Sequence, residues 1–333
     1  MMKFVDAHSD FGIRFIQSPR ARYGDVMTAE HLPMLKSGGV ALEVMTVGGD
    51  FAVDDLDLAD PVDAFRVIEA VLREEEHAEA WQVVRNRSDL QKMMNGSGTG
   101  LLLHIEGAAL LRKDPALLKT FYRLGVRSFA FTHNLRNAFG DGCLEPSNGG
   151  FSLAGKTLLK ELAKLPMVLD LAHAGERLFE EAAASYPKPF MTSHAGVKGI
   201  TDHPRNLSDH QLRLIRDAGG VLGMALVAAF IHTPPAEASL DSLLDHICYA
   251  AERIGSEHIG IGPDFTYFYP EAVERLRERL GMDPGTIMFP PHLDSPAGFP
   301  LLAEALSNRG FSQNEIQGIC GENLMRLFGS LLQ

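Results

Sequence analysis

Short apolar runs alternate with amphipathic stretches along the whole chain. Runs at residues 4–8, 40–47, 100–106, 126–133, 167–173, 190–194, 220–227 and 259–264 are almost continuously apolar, as parallel strands covered by helices must be. Between them the period changes to that of a helix. Residues 61–80 carry Phe65, Ile68, Val71 and Leu72 on one stripe. Residues 208–218 open with Ser208 as a cap and Asp209 next, followed by Leu212, Leu214 and Ile215. Residues 240–254 form a third helix that stops before Gly255. Strand–helix alternation predicts a parallel α/β sheet, and eight such strands predict a closed (β/α)8 TIM barrel. The first run starts near residue 1, so one barrel domain over residues 1–333 is expected. Loops at about 134–150 and 265–300 break the regularity. Both follow strands, and both are expected to cover substrate.

The polar residues fall at the ends of these runs. Apolar segments terminate in Asp6-Ala7-His8-Ser9-Asp10, His104-Ile105-Glu106, Thr132-His133-Asn134, Asp170-Leu171-Ala172-His173, Thr192-Ser193-His194 and Gly262-Pro263-Asp264. In a (β/α)8 barrel the carboxyl ends of the strands converge on one mouth. Six strands thus deliver ionisable groups to one small volume, and a metal compensates such a cluster. His8 and Asp10 are two apart, which puts both side chains on one face of extended chain, able to grip one ion. His173 and His194 end adjacent strands and are placed for a second. Glu106 lies between the pairs and can bridge both. His, Asp and Glu suit Zn2+, at roughly 2.0–2.2 Å per bond. Two such ions acidify a bridging water, present as hydroxide, and polarise a carbonyl. Asp264 is placed to take that water's proton and pass it to a leaving amine.

Composition narrows the partners. Of 333 residues, 45% are hydrophobic and 22% charged, and a core of that size needs no disulfides. Cys143, Cys248 and Cys320 have no metal or redox spacing and read as buried or incidental thiols in a reducing compartment. The net charge of −12 disfavours nucleic acid and anionic membranes. No apolar run of about 18 residues and no signal-like start is evident, so a cytoplasmic protein is expected.

The ordered motifs resemble the membrane (renal) dipeptidase family of zinc metallopeptidases, within the amidohydrolase superfamily. Asp6-Ala7-His8-Ser9-Asp10 resembles the family's Asp-x-His-x-Asp opening, and Ile105-Glu106-Gly107 its Val-Glu-Gly. Phe131-Thr132-His133-Asn134, Asp170-Leu171-Ala172-His173, Thr192-Ser193-His194-Ala195 and Pro204-Arg205-Asn206-Leu207 follow in family order. Gly260-Ile261-Gly262-Pro263-Asp264-Phe265 and the segment from Gly321 to Phe328 complete the series. The resemblance implies one zinc on His8 and Asp10, another on His173 and His194, and Glu106 as the bridge. It further implies that His133 contacts the scissile carbonyl or its oxyanion and that Arg205 holds the substrate carboxylate. A homodimer is also implied.

Three departures line the expected mouth. Ala108-Ala109 stands where the pattern usually has Gly-His, and Thr266-Tyr267 where it has Asp-Gly. The 134–142 loop lacks a Trp-Ala-Asp-type stretch. The leading expectation is a dipeptidase. The alternative is a hydrolase of another amide, an N-acyl amino acid or a lactone on the same site. A metal-binding protein without catalysis is a third reading, and no ligand position has been lost to support it. Outside the cluster, His104 is expected one layer deeper, Asp6 beside His8, and His203 in an exposed loop. His31, His77, His210, His232, His246, His258 and His292 read as surface, and Glu74-Glu75-Glu76 as a solvated helix face.

Overall fold

A computed structural model describes residues 2–53, 56–96, 98–112, 114–269 and 288–333. Part of the expected 265–300 loop, residues 270–287, therefore lies outside the described residues. Eight parallel strands close a barrel. They are β1 (Phe4–Ser9), β2 (Val40–Gly49), β3 (Thr99–Glu106), β4 (Ser128–Ala130), β5 (Val168–Asp170), β6 (Met191–Ala195), β7 (Val221–Met224) and β8 (Ile259–Ile261). Closure comes from two pairings: β8 lies beside β1 through Asp6 and Ile261, and β2 beside β3 from Leu42–Gly100 to Gly49–Glu106.

Period-2 alternation sorts the side chains of β3 into two populations. Leu101, Leu103 and Ile105 join the large apolar cluster beneath the surrounding helices. Leu102 joins Leu42, Val44, Val168 and Val221 in a second cluster. The C-terminal helix Asn323–Leu331 seals that second cluster with Leu324, Leu327, Phe328 and Leu331. His104 and Glu106 share the parity of Leu102, so the lining passes from apolar to polar towards the carboxyl ends. Glycine permits close packing here. A Cβ on Gly223 or on Gly262 would lie 1.8 Å from the Ser193 carbonyl oxygen.

The helices confirm their sequence signals at the caps. Ser208 and Gln211 form a capping box on Asp209–Asp217, and Ser239 and Ser242 form another on Leu240–Ile254, which ends at Gly255 with φ 87°. The first helix is shorter than its pattern predicts. It spans Pro61–Glu75, because Trp81–Val83 is an additional parallel strand along the amino-terminal half of β3. A short antiparallel ladder, Ala52–Val53 with Leu56–Asp57, was not expected either.

The solvated reading of Glu74-Glu75-Glu76 is corrected. Glu74 is buried and accepts hydrogen bonds from the Met27 and Thr28 amides, while Glu75 pairs with Arg85. Two histidines read as surface are also buried. His31 lies between Glu43, at 2.8 Å, and the Tyr267 hydroxyl, at 2.6 Å. His246 accepts from the Val197 amide and meets Thr201.

Candidate metal centre and active-site mouth

Glu106 ends β3, and three imidazoles face it. Its Oε1 lies 3.5 Å from His8 Nε2, 2.9 Å from His173 Nε2 and 3.6 Å from His194 Nε2. The His173 and His194 Nε2 atoms are 2.9 Å apart, and the His8 and His194 rings stack at 3.9 Å. Asp10, just past β1, and Asp264, just past β8, approach His8 Nε2 to 3.6 and 3.8 Å. His133, beyond β4, stands against the His173 ring at 4.2 Å. Every residue singled out for the metal centre thus falls in one cluster.

Neighbouring groups orient these side chains. The Asn134 side-chain oxygen lies 2.9 Å from His173 Nδ1 and accepts its N–H, leaving the Nε2 lone pair aimed at Glu106. Ser193 Oγ stands 2.8 Å from His194 Nδ1. Asp170 Oδ1 accepts from both Ala172 N and Ser193 N, tying the end of β5 to that of β6. Asp6 accepts from the His8 amide rather than from its ring, and His104 sits one layer down, 3.7 Å from Asp170. His173 and Asp264 hold left-handed backbones, φ 61° and 62°. For residues other than glycine this costs roughly 1–2 kcal/mol, strain of the kind that clusters at functional sites.

The donor chemistry fits a divalent cation. Burial pushes the His8, His173 and His194 imidazoles well below their usual range, so they are neutral at pH 7. Burial, then the nearby Asp10 and Asp264, raises the Glu106 carboxyl well above its usual range. Burial also lifts Asp10 to about 6 and, with the Asp10 charge, Asp264 to about 8. Glu106 Oε1 and Asp10 Oδ1 are buried without a hydrogen-bond partner. Imidazole nitrogens and carboxylate oxygens crowded 2.9–3.8 Å apart are arranged as a divalent cation's ligands would be. His8, Glu106 and His194 form one group able to hold an ion, Glu106, His133 and His173 a second, and His8, Asp10 and Asp264 a third.

The 134–150 loop is pinned over this site. Arg136 Nε and Nη2 donate to the two oxygens of Asp141 at 2.7 and 3.0 Å, and Ser147 Oγ donates to the same carboxylate. Backbone bonds from Cys143 N to His173 O and from Gly175 N to Asp141 O tie the loop to the strand ends. Arg136 holds the Asp141 carboxyl down to about 2, from its ordinary 3.8. A depressed carboxyl stabilises the folded state above its unfolded pKa and loses that contribution as pH falls through its folded pKa. Asp141→Asn should therefore lower the melting temperature at neutral pH. The deficit should shrink between about pH 4 and pH 2, read as the difference in melting temperature from the parent. A deficit that is constant across that range would contradict this role.

A cavity of about 450 Å³ opens beside His173, between this loop and the segment carrying Arg205. Arg205 is buried, donates from Nη2 to the His194 carbonyl at 3.0 Å, and lies over the Phe230 ring. Its Nε has no partner. Burial and the Arg205 charge lower His133 to about 4. Asn206 fixes the turn, donating to Thr201 O and Phe230 O and accepting from Gly196 N. His203 is half-buried rather than exposed, accepting from the Arg205 amide. The positioning roles of Asn134, Ser193, Asp170 and Asn206 escaped sequence reasoning. All four stand within quoted motifs, and adjacency to a ligand or to Arg205 is the signal that was available.

Residues 1–277 match the family model described as membrane dipeptidase (peptidase family M19). The chain belongs to the membrane dipeptidase family. An uncharacterized dipeptidase of Schizosaccharomyces pombe is 33% identical over 230 residues, 68% of this chain and 52% of that protein. The dipeptidase verJ of Clonostachys rogersoniana is 29% identical over 261 residues, 77% of this chain and 62% of that protein. This member of the family therefore spans little more than half the length of those two relatives. Among solved structures, a Rhodobacter sphaeroides metallopeptidase liganded with a phosphinate mimic of the dipeptide L-Ala-D-Ala has TM-score 0.84 and 22% identity, covering 99% of both chains. An amidohydrolase from Pseudomonas aeruginosa has TM-score 0.83 and 24% identity, covering 99% of this chain and 97% of that one. At such identities the likeness establishes the barrel fold.

Proposed function

We propose that this chain is a metal-dependent dipeptidase, hydrolysing the amide bond of small dipeptides. The observation that carries the reading is Glu106 Oε1, buried, without a hydrogen bond, and faced by three imidazole nitrogens. His8, Asp10, Glu106, His173 and His194 would hold two zinc ions, which supply Lewis acidity at the scissile carbonyl and acidify the attacking water. The remaining steps belong to side chains. Asp264 takes a proton from the attacking water onto its carboxylate and returns it to the departing amine nitrogen as the C–N bond breaks. His133, neutral at pH 7, donates an N–H to the developing oxyanion. Arg205 grips the free α-carboxylate of the leaving residue through its planar fork. The family membership and the relatives named as dipeptidases support this reading.

The test is a hydrolysis panel on zinc-loaded protein. It includes L,L- and L,D-dipeptides, L-Ala-D-Ala among them, the same dipeptides amidated at the carboxyl end, and N-acyl amino acids. Turnover is expected on free dipeptides and should fall at least about tenfold on their amides, where the charge-assisted contact to Arg205 is lost. Turnover confined to N-acyl amino acids or lactones would replace the dipeptidase reading by its alternative.

A further inference from the structure

The cavity beside His173 holds a second cation that the chemistry above leaves unused. Lys198 lines the wall next to Arg205. Its backbone is fixed there, because Lys198 N donates to Leu207 O at 2.8 Å and Leu207 N donates to Gly196 O at 3.0 Å. The side chain is half-buried and, among the described residues, forms no ion pair or side-chain hydrogen bond. Cys143 lines the same cavity. Burial raises its thiol pKa, against the opposing fields of Arg205 and Lys198. Both positive charges therefore act on the same space.

The acidic residues around the cavity do not neutralise Lys198. Glu145 lies 4.0 Å from Arg136. Glu176 and Asp202 are exposed at the outer rim. Lys198 thus faces the cavity without a counter-charge, and an anion on the substrate would supply one. One substrate carboxylate satisfies Arg205. A second anion on the same residue satisfies Lys198.

Resting on the dipeptidase reading, we propose that this cavity receives the leaving residue and that Lys198 selects an acidic side chain there, making dipeptides ending in Asp or Glu the preferred substrates. The volume leaves room for a long side chain, and polar and charged groups predominate on the wall, which carries no Phe, Tyr or Trp ring. An apolar leaving residue would leave Lys198 unpaired.

The test compares Ala-Glu, Ala-Gln and Ala-Lys, with L and D second residues, on the parent and on Lys198→Met and Lys198→Glu. The parent should favour Ala-Glu over Ala-Gln by about tenfold or more in kcat/KM, expressed in KM. Lys198→Met should bring that ratio close to one, and Lys198→Glu should turn the preference towards Ala-Lys. Equal use of Ala-Glu and Ala-Gln by the parent, or a ratio unaffected by Lys198→Met, overturns the assignment while leaving the dipeptidase reading intact. If no dipeptide is cleaved, the dipeptidase reading fails, and calorimetric binding of free glutamate against glutamine decides the cavity. Tighter glutamate binding that requires Lys198 sustains an acidic-ligand site. Equal binding removes it.

Discussion

Glu106→Gln is expected to lower turnover by about a thousandfold or more and to leave less than one equivalent of divalent metal per chain. The substitution keeps size and shape, so the loss comes from charge and from the new amide N–H2. Glu106 Oε1 is the atom closest to all three imidazoles, at 2.9 Å from His173 and within 3.6 Å of His8 and His194. No other carboxylate reaches both sides of the cluster, among the described residues. Asp10 and Asp264 approach His8 alone. A neutral amide there removes the central negative charge and offers donors where acceptors must converge. The same exchange relieves the metal-free protein. A carboxyl whose pKa is raised this strongly by burial destabilises the fold whenever it is ionised. Metal-free Glu106→Gln should therefore melt at or above the metal-free parent, while added zinc should raise the melting temperature of the parent far more than that of the variant. Elemental analysis and paired melting curves read both effects. Full metal content with turnover within about tenfold of the parent would remove Glu106 from the centre of the site.

Much of this site is legible in the sequence because barrel topology converts position along a strand into position in space. His104 and Glu106 share a parity with Leu102, so an apolar layer, a buried polar layer and the mouth follow from one strand. Strand ends on six segments converge because parallel strands all point one way. Ser208 announces its helix because the cap acts over three residues. What remained hidden depends on pairings distant in the chain. His31 looks like a loop histidine until Glu43 and Tyr267, 236 residues away, surround it. Glu74 looks solvated until the Met27 and Thr28 amides reach it. Trp81–Val83 is too short for its own period and becomes a strand only beside β3. The departure at Thr266-Tyr267 has a structural consequence of this kind, since Tyr267 ties the segment after Asp264 to His31. Lys198 carries no local signal at all. Its significance lies in what does not pair with it.

Asp264→Asn is expected to remove most turnover, by about 10²–10⁴-fold, while leaving metal content unchanged. The residue sits with φ 62°, a conformation asparagine adopts more readily than most side chains, so the backbone at the end of β8 should hold. The five residues proposed to hold metal stay in place. What is lost is the carboxylate proposed to carry a proton between water and the departing amine. The competing role is specific, because Asp264 shares a potential ligand group with His8 and Asp10. If it served mainly as a ligand, Asp264→Asn would lose metal in step with activity and excess zinc would restore both. If it carries the proton, metal stays bound, zinc in excess restores nothing, and the limb of the kcat/KM pH profile that reports this carboxylate disappears. Read beside Glu106→Gln, the two variants divide the site physically. On the proposed roles, one loses the charge that would gather the cations, and the other the base that would use them.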